Sequence, residues 1–278
     1  MRKRLAIILI VAAFALFAFG CEKKQTMPTV VSMVESSAFP ITINGVEFEN
    51  APQKIVSLSP FLTDVVCDIG AQGLLVGVCD YCQTDEISSA GSAIAPDVDF
   101  IKNSGAELVL TTTPLPSDAQ NTLANGGIKV LTLKSPVSLK TLENLYATMI
   151  AILTGNADFA VQAQQLFAPV NEMLSGFEKS DKSVLCVVSP YLNAAGTNTL
   201  CGDILSQLAD NAAETQGYAD ITDSEFDCDI VFAQNLLKTT DISEYTGNAD
   251  IVYTDFAALE NPSVENITAF VTFLCENL

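Results

Sequence analysis

One spacing in this sequence invites a chemical reading. Cys79-Asp80-Tyr81-Cys82 is a C-x-x-C, the arrangement that serves thiol–disulfide exchange or supplies half of a zinc site. Neither use is complete: no Trp-Cys-Gly flank precedes the pair and no second C-x-x-C follows it. The two residues therefore read as incidental thiols or a local disulfide. The chain has no His at all, which removes imidazole metal sites, Ser-His and Cys-His catalytic pairs and haem ligation by His. Its 33 Asp and Glu offer no distinctive pair for glycoside cleavage, which needs two carboxylates about 5–9 Å apart. No catalytic residue, metal or cofactor is expected.

The remaining cysteines fit that view. Of eight in all, Cys21 lies at the end of an apolar leader, and Cys67, Cys79, Cys82, Cys186, Cys201, Cys228 and Cys275 follow. Seven cannot all pair within one chain, so at least one thiol stays free. Cys67 and Cys275 fall on apolar faces of predicted helices, where Cys behaves as a small core residue.

Composition sets the class. With 278 residues, 49% hydrophobic and only 17% charged, and a mean hydropathy of +0.34, the chain belongs with packed globular proteins, not with disordered or fibrous ones. The net charge of −20 argues against nucleic acid as a partner.

Residues 1–20 begin with Arg2, Lys3 and Arg4 and continue as an unbroken apolar run from Leu5 to Phe19. That run is short for a bilayer span and reads as an export signal. Its end, Ala18-Phe19-Gly20-Cys21, resembles a bacterial lipobox, so Cys21 is the expected lipidation site and new N-terminus; a plain cleaved signal is the alternative. Cleavage would remove both arginines in the chain, leaving a mature part free of Arg. Residues 21–50 read as tether and entry segment, hanging the domain from the extracytoplasmic face of the cell membrane.

From Lys54 short β-rich runs alternate with helical patterns, which predicts parallel βα units. Ile55–Leu58 is the first strand; Ser59-Pro60 supplies an N-cap and a proline at the first helical position, and Phe61–Ile69 is a helix closed by Gly70. Strands over 74–78, 107–112 and 128–133 and helices over 97–104 and 117–124 complete a first lobe, 51–137. Residues 138–180 carry helical periodicity with a break at Gly155-Asn156. A second lobe, 181–278, starts with strand 183–188 and helix 198–210, adds strands 229–233 and 251–254, and closes with helix 262–277. The expected fold is α/β: two lobes with short, mostly parallel sheets joined by a long interdomain helix, with a cleft between them.

Several of these residues carry a resemblance. Lys54-Ile55-Val56-Ser57-Leu58-Ser59-Pro60 with Thr63-Asp64, then Leu75-Val76-Gly77-Val78-Cys79-Asp80-Tyr81, then Ala106-Glu107-Leu108-Val109-Leu110, closely resembles the opening of the helical-backbone (class III) substrate-binding lipoproteins for vitamin B12 and iron-siderophores. The resemblance spans about residues 52–278 and implies a monomeric, non-enzymatic capture protein that feeds the permease of an ABC importer. Its cleft would be preformed, with little hinge motion. Ligand contacts would come from the carboxyl ends of strands, as in other open α/β sheets. By that placement the candidates are Ser59, Pro60, Thr63, Tyr81, Ile94 and Thr113 in the first lobe, and Tyr191, Tyr218, Asn235 and Asp255 in the second. The family docks on its importer through one acidic residue per lobe, matching Asp99 and Glu225 here.

Two departures bear on the ligand. Trp is absent, although B12-binding members often use it, and an Arg-free acidic domain suits anionic ferric siderophores poorly. A corrinoid, bulky and nearly neutral, is the expected ligand, with a neutral or hydroxamate-type siderophore complex as the alternative. A sensor or adhesin that kept the fold without the ligand is the reading of another class.

Overall fold

A computed structural model describes residues 39–82, 86–188, 192–223, 225–256 and 261–278. Cys21 and Tyr191 lie outside the described residues. The chain enters through a hairpin, β1 (Ile41–Ile43) and β2 (Val46–Phe48), turned at Asn44-Gly45 with both residues at positive φ. Asn-Gly is the pair that adopts such a turn most readily. Phe48 is buried and Lys129 lies 5.1 Å from its ring centroid, which docks the hairpin on the first lobe.

That lobe is a four-stranded, wholly parallel sheet in the order β4-β3-β5-β6: β3 (Ile55–Ser57), β4 (Leu75–Val78), β5 (Leu108–Thr111) and β6 (Lys129–Thr132). The central strands are apolar runs buried on both faces, as parallel strands must be. Helix α1 (Pro60–Asp68) follows β3, α2 (Val98–Asn103) precedes β5, and α3 (Ser117–Asn125) precedes β6.

Two helices then bridge the lobes, α4 (Leu139–Thr154) and α5 (Phe159–Gly176), separated at Gly155, whose left-handed backbone ends α4. Helix α4 packs on α1 of the first lobe, and its N-terminal Leu139 N–H donates to Asp203 Oδ2 of the second at 2.8 Å. The brace is thus fastened at both ends.

The second lobe is a mixed sheet built on β7 (Ser183–Val188), which pairs in parallel with β11 (Ile230–Gln234), itself parallel to β12 (Asp250–Thr254). Beside β7 run β8 (Asn193–Ala195) and β10 (Tyr218–Asp220), both joined antiparallel, while the two-residue β9 (Asp210–Asn211) pairs parallel with β7. Helix α6 (Leu200–Leu208) follows β8, a one-turn helix α7 (Ser243–Thr246) precedes β12, and α8 (Val264–Asn277) closes the chain.

One apolar core runs from Leu62 and Leu110 in the first lobe through Tyr146, Met149 and Phe167 in the brace to Phe232 and Phe270 in the second. Tyr146 and Phe167 meet edge to face at 5.0 Å. A shared core and a helical brace resist hinge opening, because separating the lobes would expose that apolar surface.

Candidate functional site

The carboxyl end of β3 shows why a short sequence motif can place a helix end. Ser59 is the N-cap of α1: its Oγ accepts from Leu62 N at 3.5 Å, and Pro60 occupies the first helical position. Ser57 Oγ and Thr63 Oγ1 both donate to the Ser59 carbonyl, at 3.0 and 2.9 Å, which locks the turn. On the other lobe Thr199 caps α6 in the same manner. Its Oγ1 accepts from Gly202 N at 3.0 Å and donates to the Gly196 carbonyl at 2.7 Å. Asn198, just before it, takes a left-handed backbone at φ +61°, which Asn tolerates better than most residues.

These two helix N-termini face a common cavity of about 520 Å³. Ser59, Pro60 and Phe61 form one wall with Thr112 after β5. The linker residues Ser135, Pro136 and Val137 cross one side, and Asn198, Thr199, Leu200, Gly217 and Tyr218 form the opposing wall, with Pro262 beside α8. Among the described residues no charged side chain lines it. The cavity offers hydroxyls, an amide, backbone N–H groups and apolar rings, a surface suited to a bulky neutral molecule. A volume of this size is within the usual range for small-molecule sites.

Tyr218 is 53% exposed and stands in the cavity wall. Partial burial, with smaller effects from Cys201 and Cys186, pushes its phenol up, so its hydroxyl stays protonated at neutral pH. A larger hollow of about 760 Å³ lies at the amino ends of β7, β11 and β12, lined by Asp181, Lys182, Asp227, Asp229 and Asp250. Open α/β sheets bind ligands at the carboxyl ends of their strands, which selects the smaller, less polar cavity.

Of the expected residues, Ser59, Pro60 and Tyr218 line that cavity, the first two on one wall and Tyr218 on the other. Thr63 sits one turn below, buried, with its hydroxyl 3.3 Å from Cys82 Sγ. Tyr81 and Ile94 are 71% and 79% exposed, and Thr113, Asn235 and Asp255 are also exposed; none of the five lines the cavity. Thr111 Oγ1 donates to Thr113 O at 2.7 Å, a turn that leaves Thr112 at the cavity wall. Ser135, Val137, Asn198 and Gly217 were not expected at the site. Ser135 and Val137 lie just past the carboxyl end of β6, while Asn198 and Gly217 sit in turns of an antiparallel edge, outside the strand-end rule. Asp99, in the first turn of α2, and Glu225 are both exposed.

The lobes also meet in a polar clasp beside the cavity. Asp68, at the end of α1, accepts from Tyr146 OH at 2.5 Å and from Val264 N at 3.1 Å, at the start of α8. Asn261 Nδ2 donates to Asp64. Burial raises the carboxyls of both Asp64 and Asp68, the expected result of partly desolvating two nearby acids.

This architecture matches solved structures over most of the chain. The periplasmic heme-binding protein HutB of Vibrio cholerae superposes with a TM-score of 0.66 at 18% identity, covering 80% of this chain and 98% of its own. The vitamin B12-binding protein BtuF of the same organism gives 0.59 at 12%, covering 80% and 98%. A protein of an ABC-type Fe3+-hydroxamate transport system from Saccharomonospora viridis gives 0.61 at 17%, covering 86% and 98%. The chain has the class III periplasmic binding protein fold. No family model matches the sequence, and neither does any curated protein. At identities this low the fold is what the likeness shows, and function has to be argued from the site.

Proposed function

We propose that this protein is the extracytoplasmic, lipid-anchored solute-binding protein of an ABC importer, which holds a corrinoid in the interlobe cavity and passes it unaltered to a permease. The uncharged cavity between two helix N-termini is the observation that carries this function. Proteins named for binding heme, vitamin B12 and Fe3+-hydroxamate share the fold, and each of those ligands is a large, rigid, metal-bearing molecule. Of the three, a neutral, amide-rich corrinoid fits a wall of Ser, Thr, Asn and Tyr best. Heme carries carboxylates, and this wall has no Arg or Lys to receive them. A neutral hydroxamate complex is the second candidate on the same ground.

The remaining parts of the scheme follow. Cys21 would carry the lipid, residues 21–50 would include the tether, and Asp99 and Glu225, one exposed acid on each lobe, would meet cationic residues of the permease. Among the described residues no helix is long and apolar enough to cross a membrane. The test is a thermal-shift panel of cyanocobalamin, cobinamide, heme and ferric hydroxamates. A hundredfold excess over Kd adds about 2.7 kcal/mol to stability, so cyanocobalamin or cobinamide should raise the melting temperature by several degrees. A shift with heme or a hydroxamate alone would keep the capture role and replace the ligand; no shift with any compound would reject it.

A further inference from the structure

Ligand capture makes no use of the C-x-x-C, yet the fold builds a site around it. Cys79 directly follows strand β4 and is buried, while Cys82, one turn on, is half-buried. A turn closed by Cys82 N donating to Cys79 O at 3.0 Å brings the two sulfurs to 2.7 Å. Thr63 Oγ1 lies 3.3 Å from the sulfur of Cys82. A covalent bond of about 2.05 Å is therefore reached by a small movement of two side chains.

We propose that Cys79 and Cys82 form a thiol–disulfide exchange pair that reacts with low-molecular-weight disulfides, with Cys82 as the attacking sulfur and Cys79 as the resolving one. Accessibility assigns the roles, since an incoming disulfide meets Cys82 first. The Cys82 thiolate attacks one sulfur of the external disulfide; a Cys82–S–S–R bond forms, the external S–S bond breaks, and the first RS⁻ leaves and takes up the proton that Cys82 shed. Cys79 then gives up its proton and attacks Cys82 Sγ. The Cys79–Cys82 bond forms and the second RS⁻ leaves with that proton. Two protein thiols are oxidised by two electrons, and one external disulfide is reduced to two thiols.

Supporting chemistry surrounds the pair. The hydrogen bond from Cys79, with a smaller one from Thr63, pulls the Cys82 thiol below its ordinary value, and the Cys79 thiol is raised by the same contact. Cys67 is exposed, but partial burial and the charges of Asp64 and Asp68 push its thiol up. A second pair, Cys186 and Cys201, hydrogen-bonds inside the second lobe's core with both residues fully buried. That pair has no route to a reagent. Thr63 has a single hydroxyl proton and two acceptors in reach, the Ser59 carbonyl and the Cys82 sulfur. The oxidation state of Cys82 is therefore felt one hydrogen bond away from the helix end that lines the cavity.

The experiment exposes the full purified chain to oxidised glutathione at pH 7, followed by peptide mass spectrometry. Expected are a Cys79–Cys82 cross-link in the native protein, a stable glutathione adduct on Cys82 in Cys79→Ser, and an unmodified Cys79 in Cys82→Ser. A brief pulse of iodoacetamide on the reduced native protein should label Cys82 about tenfold faster than Cys67 despite the greater exposure of Cys67. Cys186 and Cys201 stay unlabelled while the fold is intact, which identifies a variant that has unfolded; the cross-link and the labelling order in the native protein then decide alone. A native protein that forms no cross-link, or that alkylates Cys67 before Cys82, overturns the proposal. Either result leaves ligand capture untouched.

Discussion

The two lobes reach the same cavity by different routes. The first does so through the carboxyl ends of parallel strands: β3 leads to Ser59 and Pro60, β5 to Thr112, and β6 to the linker at Ser135. The second uses its antiparallel edge. Tyr218 and Gly217 come from β10 and the turn before it, and Asn198 and Thr199 from the turn after β8, held to the edge by Gly217 N donating to Thr197 O at 2.6 Å. A parallel βα unit positions a ligand contact through a capped helix that tolerates local change. An antiparallel edge positions it through backbone packed against backbone, and that packing depends on glycine.

The sharpest way to break this comparison is at the outer surface, where the scheme treats the lobes alike. Charge reversal at both Asp99 and Glu225 should abolish uptake in a reconstituted importer while ligand affinity measured on the isolated protein stays unchanged; altered affinity would reject the docking role.

The next largest effect is on stability. In the second lobe a Cβ on Gly202 would sit 2.1 Å from the Gly196 carbonyl oxygen, backbone against backbone. In the first lobe a Cβ on Gly77 would meet the Phe100 ring at 2.7 Å, a side chain able to move. Gly202→Ala should therefore cost about 3 kcal/mol and Gly77→Ala about 1 kcal/mol, within the usual range for overpacking. Thermal melts compare them, and an equal loss would remove the asymmetry.

A smaller effect concerns pH and the clasp between the lobes. Because burial raises the carboxyls of Asp64 and Asp68 in the folded protein, the native state holds their protons more firmly than the unfolded chain does. Their contribution to stability is therefore full below the ordinary carboxylate value and is lost as pH rises through the raised folded one. In Asp68→Asn the side chain cannot ionise. The stability of the native protein relative to this variant should accordingly grow as pH falls from 7 to 4, read by melts across that range. A difference that shrinks toward acid would show that Asp68 is held as a favourable charge.

How legible each lobe is in the sequence follows the same division. The Ser59-Pro60 cap, the apolar strands 55–58 and 107–112 and the helical stretch broken at Gly155 are local signals, and local structure obeys them. The hairpin at Asn44-Gly45 is marked by a turn pair and alternating residues within a segment expected to tether. Strand β8 is three residues long, and both Ala194 and Ala195 are buried. Periodicity needs more residues than that to register, so the edge, and the cavity contacts at Asn198 and Gly217 that it positions, had no pattern to read. Tyr81 follows a strand and Ile94 lies in the long loop beyond it, yet both are exposed and neither lines the cavity.

The central claim is that the cavity between the lobes receives a large uncharged ligand, and calorimetric titration of cyanocobalamin tests it most directly when run on the native chain beside Ser135→Trp, whose indole fills the space. The account predicts one saturable site per chain in the native protein and at least a tenfold weaker one in the variant, about 1.4 kcal/mol. Undiminished binding by the variant, or no saturable heat from the native protein, would contradict it.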